Sequence, residues 1–380
     1  MLKIIADEAI PWLDKLFAKH GNIHRYRGRE LDPSQLEDAD LLLIRSTVRI
    51  DKNLLKNSAV KLVASATVGC DHVDQNALSE LGIAFAHAPG CNANAVAEYV
   101  VSAIAWHAKY GKTDLGDAST AAIIGCGRIG SKVKAKLELL GFNLIINDPP
   151  LALDNSVNDP SMNFVSLHEA LDADVICLHT PLTHTGDFPT HHLLDRTRLA
   201  CIRENAVLIN AGRGGVIDNQ ALSGLLDEKP KLNVVLDVWE NEPNIDWELL
   251  SRINLGTPHI AGHSWRGKVM GTVMIYQFAC NVFGWTEQKI DEQAFTVPLP
   301  GFKCADDVQL YDLVSRCYDI EAETAELRHR TMAKSAPDAA REFDHFRKSY
   351  YRRPEFSDLN CEVKTSISNT VKLLGFNVLS

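Results

Sequence analysis

The stretch AAIIGCGRIGSKVKAKLELLG, residues 121–141, constrains the fold of this chain more than any other. An apolar run of strand character meets Gly125, Gly127 and Gly130 in the spacing G-x-G-x-x-G, and a helical pattern follows. The first glycine permits a tight turn, the second lets backbone approach a pyrophosphate, and the third lets the helix pack against the strand. The helix N-terminus then offers unpaired N–H groups and a partial positive charge to phosphates. Arg128 and Ile129, inside the same loop, join the glycines as expected cofactor contacts. At the end of the next apolar run stands Asp148, 23 positions after Gly125, near the roughly 20 expected of an acid that binds an adenosine ribose. Its carboxylate accepts hydrogen bonds from ribose hydroxyls and repels a 2′-phosphate. The following PPLALD carries no arginine to neutralise one. The expected dinucleotide is NAD rather than NADP.

The loop belongs to a longer series. Strand-like runs at 120–125, 143–148, 174–180, 206–212, 233–239 and 254–259 alternate with helical segments, the pattern of a doubly wound parallel sheet. A second series precedes it, with strand-like LKIIA (2–6), LLLIRS (41–46), KLVASAT (61–67) and IAFAHAP (83–89) and helical stretches at 11–20 and HVDQNALSELG. Residues 91–111 are apolar almost throughout and predict a buried helix, capped by Asn92 or Asn94 and ended by Gly111. A long helix is expected after Trp265. Pro298 and Pro300-Gly301 mark a break before a tail with a charged stretch, REFDHFRKSYYRRPEF, and an apolar end. The expected division is 1–95 with 265–290 as a flavodoxin-like α/β substrate domain, 96–264 as a Rossmann-type nucleotide domain, and 291–380 as a small C-terminal α+β domain.

With 380 residues, 46% hydrophobic and 23% charged, the chain has the composition of a packed multidomain protein. A net charge of −10 argues against a nucleic-acid surface. No apolar run approaches the ~18 residues of a membrane span. The start, MLKIIADEAI, is too short in apolar residues for a signal peptide, so a cytoplasmic location is expected. Nine scattered cysteines form no C-x-x-C pair and read as reduced thiols, and no metal site is expected. His24, His87, His107 and the pair His191-His192 are read as structural.

Three later strand-like runs end in reactive side chains: Arg213 in INAGRGGVID, Asp237 and Glu242 in LDVWENEP, and His259 in TPHIAGH. Ligands of an open α/β sheet bind beyond the carboxyl ends of its strands. Singly these residues read as a turn arginine, a solvated acid and a core histidine. Behind a dinucleotide loop they fit one reaction. Removing hydride from a secondary alcohol leaves a hydroxyl proton, which an imidazole accepts near neutral pH. A carboxylate on its other nitrogen fixes the tautomer, and a guanidinium recognises a substrate carboxylate at two points.

Together, APGCNANAVAEYV, GCGRIG, HTPL, INAGRGGVID, LDVWENEP and TPHIAG resemble the D-isomer-specific 2-hydroxyacid dehydrogenases over roughly residues 1–285. The resemblance implies catalytic roles for Arg213, Glu242 and His259. It implies NAD contacts at Asp148, Thr180, Asp237 and Gly262, and through the backbone of Ala211 and Gly212. IADEAIP, LLIRSTVRI, ATVGCDHVD and EFDHFRKSYYRR resemble one branch of that family. That branch takes a phosphorylated hydroxy acid, contacts it at the positions of Ser46 and Thr67, and forms a homodimer through the tail. Where it has a tyrosine on the substrate, this chain has His263. A phosphate needs cations: Arg45 is expected to meet it, with a tail arginine from a second subunit, and Arg49, Arg347 and Lys348 are further candidates. The alternatives are another enzyme of the family, such as phosphoglycerate dehydrogenase, and an NAD-responsive corepressor. The tail does not resemble the former's regulatory domain, and the chain has no disordered tail or basic arm to suit the latter.

Overall fold

The computed structural model describes residues 1–110, 119–154, 159, 161–303 and 309–379; Gly111 and Cys304 lie outside them. The chain divides into two compact units, Met1–Asn92 with His263–Thr296, and Ala93–Gly262 with Val297–Ser380.

The first unit is a five-stranded parallel sheet of β1 (Leu2–Asp7), β2 (Gly21–Tyr26), β3 (Leu41–Ile44), β4 (Leu62–Ser65) and β5 (Ala84–Ala86). Its order, β2-β1-β3-β4-β5, is the flavodoxin order. Alternate side chains go to opposite faces. Ile4, Ala6, Leu41 and Leu43 pack with Val269, Val273 and Tyr276 of the helix Trp265–Phe283, while Ile5, Leu42, Ile44 and Val63 pack with Leu55 and Leu78. Both faces are covered, which is why these strands are continuously apolar. The long helix starts where Gly267 N–H donates to Ser264 Oγ (3.0 Å) and stops at Gly284, in the left-handed region at φ 67°. Strand β2 was not expected. Its sequence GNIHRY buries only Gly21 and Tyr26, as an edge strand does.

The second unit holds β6 (Thr120–Ile124), β7 (Asn143–Asn147), β8 (Val175–Leu178), β9 (Val207–Asn210), β10 (Asn233–Leu236) and β11 (Leu255–Gly256), all parallel, in the order β11-β10-β9-β8-β6-β7. Outside β7 a single bridge, Ile146 to Phe164, replaces a full strand. Counting it, the order is the Rossmann order continued by one strand. The helix Ala93–Lys109 is buried from Ala95 to His107, and its apolar side chains pack with Ala121, Ile123, Val175 and Cys177. Asn94 does not act as its cap: the amide donates to Glu98 Oε1 (2.9 Å) and Glu355 Oε2 (2.8 Å).

From Val297 onward the tail belongs to this same compact unit, whereas residues 291–296 belong to the first. It carries a parallel sheet of β12 (Phe302–Lys303), β13 (Asn360–Glu362) and β14 (Asn377–Val378) and the helices Ile320–Thr331 and Ala336–Lys348. Helix Ile320–Thr331 covers the exposed edge of β11. Gly256 N–H donates to Thr324 Oγ1 (3.2 Å), and Arg328 donates to the carbonyls of Leu250 and Ile253 (3.1 and 2.7 Å). Among the described residues, no helix is long and apolar enough to cross a membrane.

Candidate active site

Because all six strands of the second sheet are parallel, their C-terminal ends share one edge, and the topological switch point lies between β6 and β8. Gly125 follows β6 at φ 88°. A Cβ there would lie 2.9 Å from Thr180 N and Thr180 Cγ2, so the glycine loop abuts the end of β8. A Cβ on Gly130 would lie 2.1 Å from Gly125 O, which is the close helix–strand packing the third glycine was expected to allow. Gly127 is different, since a Cβ there meets no protein atom within 4 Å. Protein packing does not require that glycine. The helix that begins at Gly130 has no side-chain cap, while the N–H groups of Ser131 and Lys132 donate to the carbonyls of Gly127 and Ile129, both at 2.9 Å. Asp148 lies at the end of β7, and its Oδ2 accepts from Cys126 N–H in the loop (2.8 Å) while Oδ1 accepts from Leu151 N–H (3.1 Å). Thr180 Oγ1 is buried and has no hydrogen-bond partner. Arg128 is exposed and Ile129 half-buried.

Arg213 follows β9, Asp237 and Glu242 follow β10, and His259 follows β11. The structure brings the acid and the histidine into direct contact: His259 Nδ1 lies 2.8 Å from Glu242 Oε2. Glu242 Oε1 accepts from Trp239 N–H at 2.9 Å. Burial of this carboxyl works against its charge, but the His259 charge and hydrogen bond, with Arg347, outweigh it and hold its pKa below the ordinary value. An ionised Glu242 accepts from Nδ1–H, which assigns the accepting lone pair of the neutral ring to Nε2. His259 sits at φ 57° and Asn241 at φ 59°, left-handed conformations that non-glycine residues rarely adopt. Both loops of the pair therefore carry backbone strain, of about 1–3 kcal/mol per residue.

Asp237 holds the histidine loop from beneath. Its Oδ1 accepts from Thr257 Oγ1 and Ile260 N–H, both at 2.7 Å, and its Oδ2 accepts from Ala261 N–H at 3.0 Å. Burial raises its pKa, partly offset by the His259 charge and these donors. The turn of Arg213 is tied to the turn of Glu242, because a Cβ on Gly214 would lie 1.9 Å from Trp239 O. Arg213 Nη1 donates to Gly212 O (2.9 Å), and Gly212 N–H donates to Asn210 Oδ1 (3.1 Å). Ala211 is buried and Gly262 half-buried.

In the first unit, Ser46 is exposed, and Thr67 Oγ1 shares a hydrogen bond with Ser65 Oγ at 2.8 Å. Arg45, the expected phosphate contact, has its Nη2 3.2 Å from Oδ1 of the fully buried Asp7. His263 is half-buried, directly before the capping Ser264. The pair His191-His192 has a partner after all. His192 Nε2 lies 2.7 Å from Glu240 Oε1, and the two rings stack at 4.0 Å. One ligand atom from each of His191, His192 and Glu240 lies within 4.8 Å of the others, and Glu240 Oε2 is also held by Asn219 N–H at 2.8 Å. Arg347, a phosphate candidate by sequence, has its Nη1 3.5 Å from Glu242 Oε2. No local signal marks a pairing between residues so far apart in the chain.

The family model for the NAD-binding domain of the D-isomer specific 2-hydroxyacid dehydrogenases matches residues 92–261, and a domain of unknown function matches 299–375. The fold, the glycine loop and the acid–histidine pair agree with that match, and the chain belongs to the D-isomer specific 2-hydroxyacid dehydrogenases. Its full-length similarity is narrower and lies with the erythronate-4-phosphate dehydrogenases. It is 42% identical to that enzyme of Marinobacter nauticus, with 99% of each chain covered, and 41% identical to that of Hahella chejuensis, with 100% of each covered. Among solved structures, the TT0316 protein of Thermus thermophilus is 27% identical with a TM-score of 0.63, covering 74% of this chain and 97% of that one. The NAD+-bound 3-phosphoglycerate dehydrogenase of Entamoeba histolytica shares the fold at 22% identity and a TM-score of 0.63, covering 74% of this chain and 95% of its own.

Proposed function

We propose that this enzyme oxidises 4-phospho-D-erythronate to 2-oxo-3-hydroxy-4-phosphobutanoate with NAD, a step of pyridoxal 5′-phosphate biosynthesis. The observation that carries this reading is the 2.8 Å Glu242–His259 pair on the C-terminal edge of a glycine-loop sheet, in a chain 42% identical over its length to erythronate-4-phosphate dehydrogenase of Marinobacter nauticus.

The residues fit a dinucleotide. Thr180 Oγ1 is a buried group without a partner beside the loop, Gly127 is a glycine that packing does not require, and the helix at Gly130 has no side-chain cap. Gly125, Gly127, Arg128, Ile129 and Gly130 would hold the pyrophosphate, Asp148 the ribose, and Thr180, Ala211, Gly212 and Gly262 the remainder. Asp237 supports the loop of that site. When bound, NAD supplies the acceptor for the hydride that leaves C2 of the substrate.

The chain's own residues do the rest. His259 Nε2 accepts the C2 hydroxyl proton, and Glu242 stabilises the imidazolium through Nδ1–H. Arg213 binds the substrate carboxylate and polarises the neighbouring oxygen. Ser46, Thr67 and His263 are proposed substrate contacts. Arg45 would meet the phosphate while its charge is shared with Asp7. The protein is proposed to act in the cytoplasm as a homodimer assembled through the tail.

The test is NADH formation with 4-phospho-D-erythronate, 3-phosphoglycerate and D-lactate, each with NAD and with NADP. Preference for the first acid with NAD is expected. Preference for 3-phosphoglycerate would move the enzyme elsewhere in the family, and equal efficiency with NADP would remove the role of Asp148.

A further inference from the structure

The tail does more to the active-site loops than lie on the sheet edge. Arg353, fully buried, donates through Nη2 to the carbonyls of Ala261 (2.7 Å) and Ala95 (3.2 Å). It therefore fixes the backbone two residues beyond His259. Phe343 and Phe346 of the helix Ala336–Lys348 share one buried cluster with Ile260 and Trp239, the neighbours of His259 and Glu242. That helix delivers Arg347 to within 3.5 Å of Glu242 Oε2, the same oxygen that accepts from His259 Nδ1. The contact is sheltered: the side chains of Arg347 and Glu242 are 22% and 17% exposed. Arg347 Nε is buried and makes no hydrogen bond.

We propose that Arg347 is a positioning residue for the Glu242–His259 pair, sharing the Glu242 carboxylate with the imidazole and limiting how strongly that carboxylate holds the imidazolium. The inference rests on the proposed proton-transfer roles of Glu242 and His259. An anion with one cationic neighbour, in a sheltered place, binds that neighbour tightly. With a second cation on the same oxygen, part of its field is already neutralised, and the second cation also repels the first directly. The proton taken up during oxidation is then easier to release for the next turnover. The charged groups bearing on Glu242 are His259 from the β11 loop and Arg347 from the tail. Asp237 acts on the same histidine from below. Glu240 is held by His192 and Asn219, Lys348 lies 3.9 Å from Asp344, and Arg213 Nη1 is on Gly212 O.

The test compares the parent enzyme with Arg347→Gln and Arg347→Lys. The His259 ring is titrated by NMR in the full-length protein, its signal assigned by loss in His259→Ala. This reading needs no substrate, so it stands apart from whether 4-phospho-D-erythronate is turned over. In Arg347→Gln the midpoint is expected to rise by about one unit, and Arg347→Lys should restore most of the parent value. The acid limb of kcat/KM for the oxidation should move the same way, with KM at the optimum little changed. Arg347→Met, which keeps the aliphatic packing, gives a second neutral variant if the glutamine protein folds poorly. An unchanged or lowered midpoint in a folded neutral variant overturns the proposal. So does a rise in KM without any movement of the pH profile, which would make Arg347 a substrate-binding cation.

Discussion

Replacing Glu242 by glutamine isolates what the carboxylate does to His259. The change is nearly isosteric, and the side-chain oxygen can still accept from Trp239 N–H, now 2.9 Å from Oε1. What is lost is the charge 2.8 Å from Nδ1. A hydrogen bond to a charged partner contributes about 1.5–3 kcal/mol, and each ~1.4 kcal/mol is tenfold in rate, so the imidazolium-like transition state loses roughly 10- to 150-fold. The amide adds a second penalty. If its NH2 faces Nδ1, the ring proton moves to Nε2, and the atom that should accept the substrate proton is already protonated. The combined expectation is a fall in kcat of about two to three orders of magnitude with a nearly constant KM. Initial rates of NADH formation, with circular dichroism to confirm the fold, measure it. A fall of less than about threefold, or one carried wholly by KM, would refute the reasoning.

Two glycines in one loop should behave in opposite ways. Gly130→Ala puts a Cβ 2.1 Å from Gly125 O and is expected to destabilise the protein by more than about 2 kcal/mol, read as a lower Tm. Gly127→Ala meets no protein atom within 4 Å, so Tm should hold while the KM for NAD rises about tenfold or more. A second expectation concerns pH. Glu98 is buried between the first helix of the second unit and the tail, where burial and then the Glu355 charge push its pKa up to about 8, against Lys136 and Arg353. The folded state therefore binds a proton that the unfolded chain releases at a lower pH. This stabilisation is complete below the unfolded value and is lost as pH rises towards about 8. Thermal melts should show Tm falling over that window, and Glu98→Gln should flatten the fall.

The two large sheets were legible because parallel strands covered on both faces are short unbroken apolar runs, and LLLI, VICL and VLIN can hardly be read otherwise. Strand β2 was hidden by its polar edge residues Asn22, His24 and Arg25. Phe164 keeps only one bridge of a strand, and the tail strands are two or three residues long, too short to leave a period. At the site, spacing and resemblance named Glu242 and His259, whose loops follow adjacent strands. They did not reveal that Asp237 carries the loop N–H groups of Ile260 and Ala261, nor that Arg45 leans on Asp7. Pairings such as Arg347 with Glu242 and Arg353 with Ala261 depend on how the tail folds back, which no local pattern encodes.

The central claim is that His259, oriented by Glu242, takes the substrate proton as hydride leaves. Single-turnover formation of NADH from 4-phospho-D-erythronate, followed for the parent enzyme and for His259→Ala at saturating NAD, tests it most directly. The account predicts rapid formation by the parent and a loss of about 10²- to 10⁴-fold in the variant, with NAD still bound. Equal rates in the two proteins would contradict it.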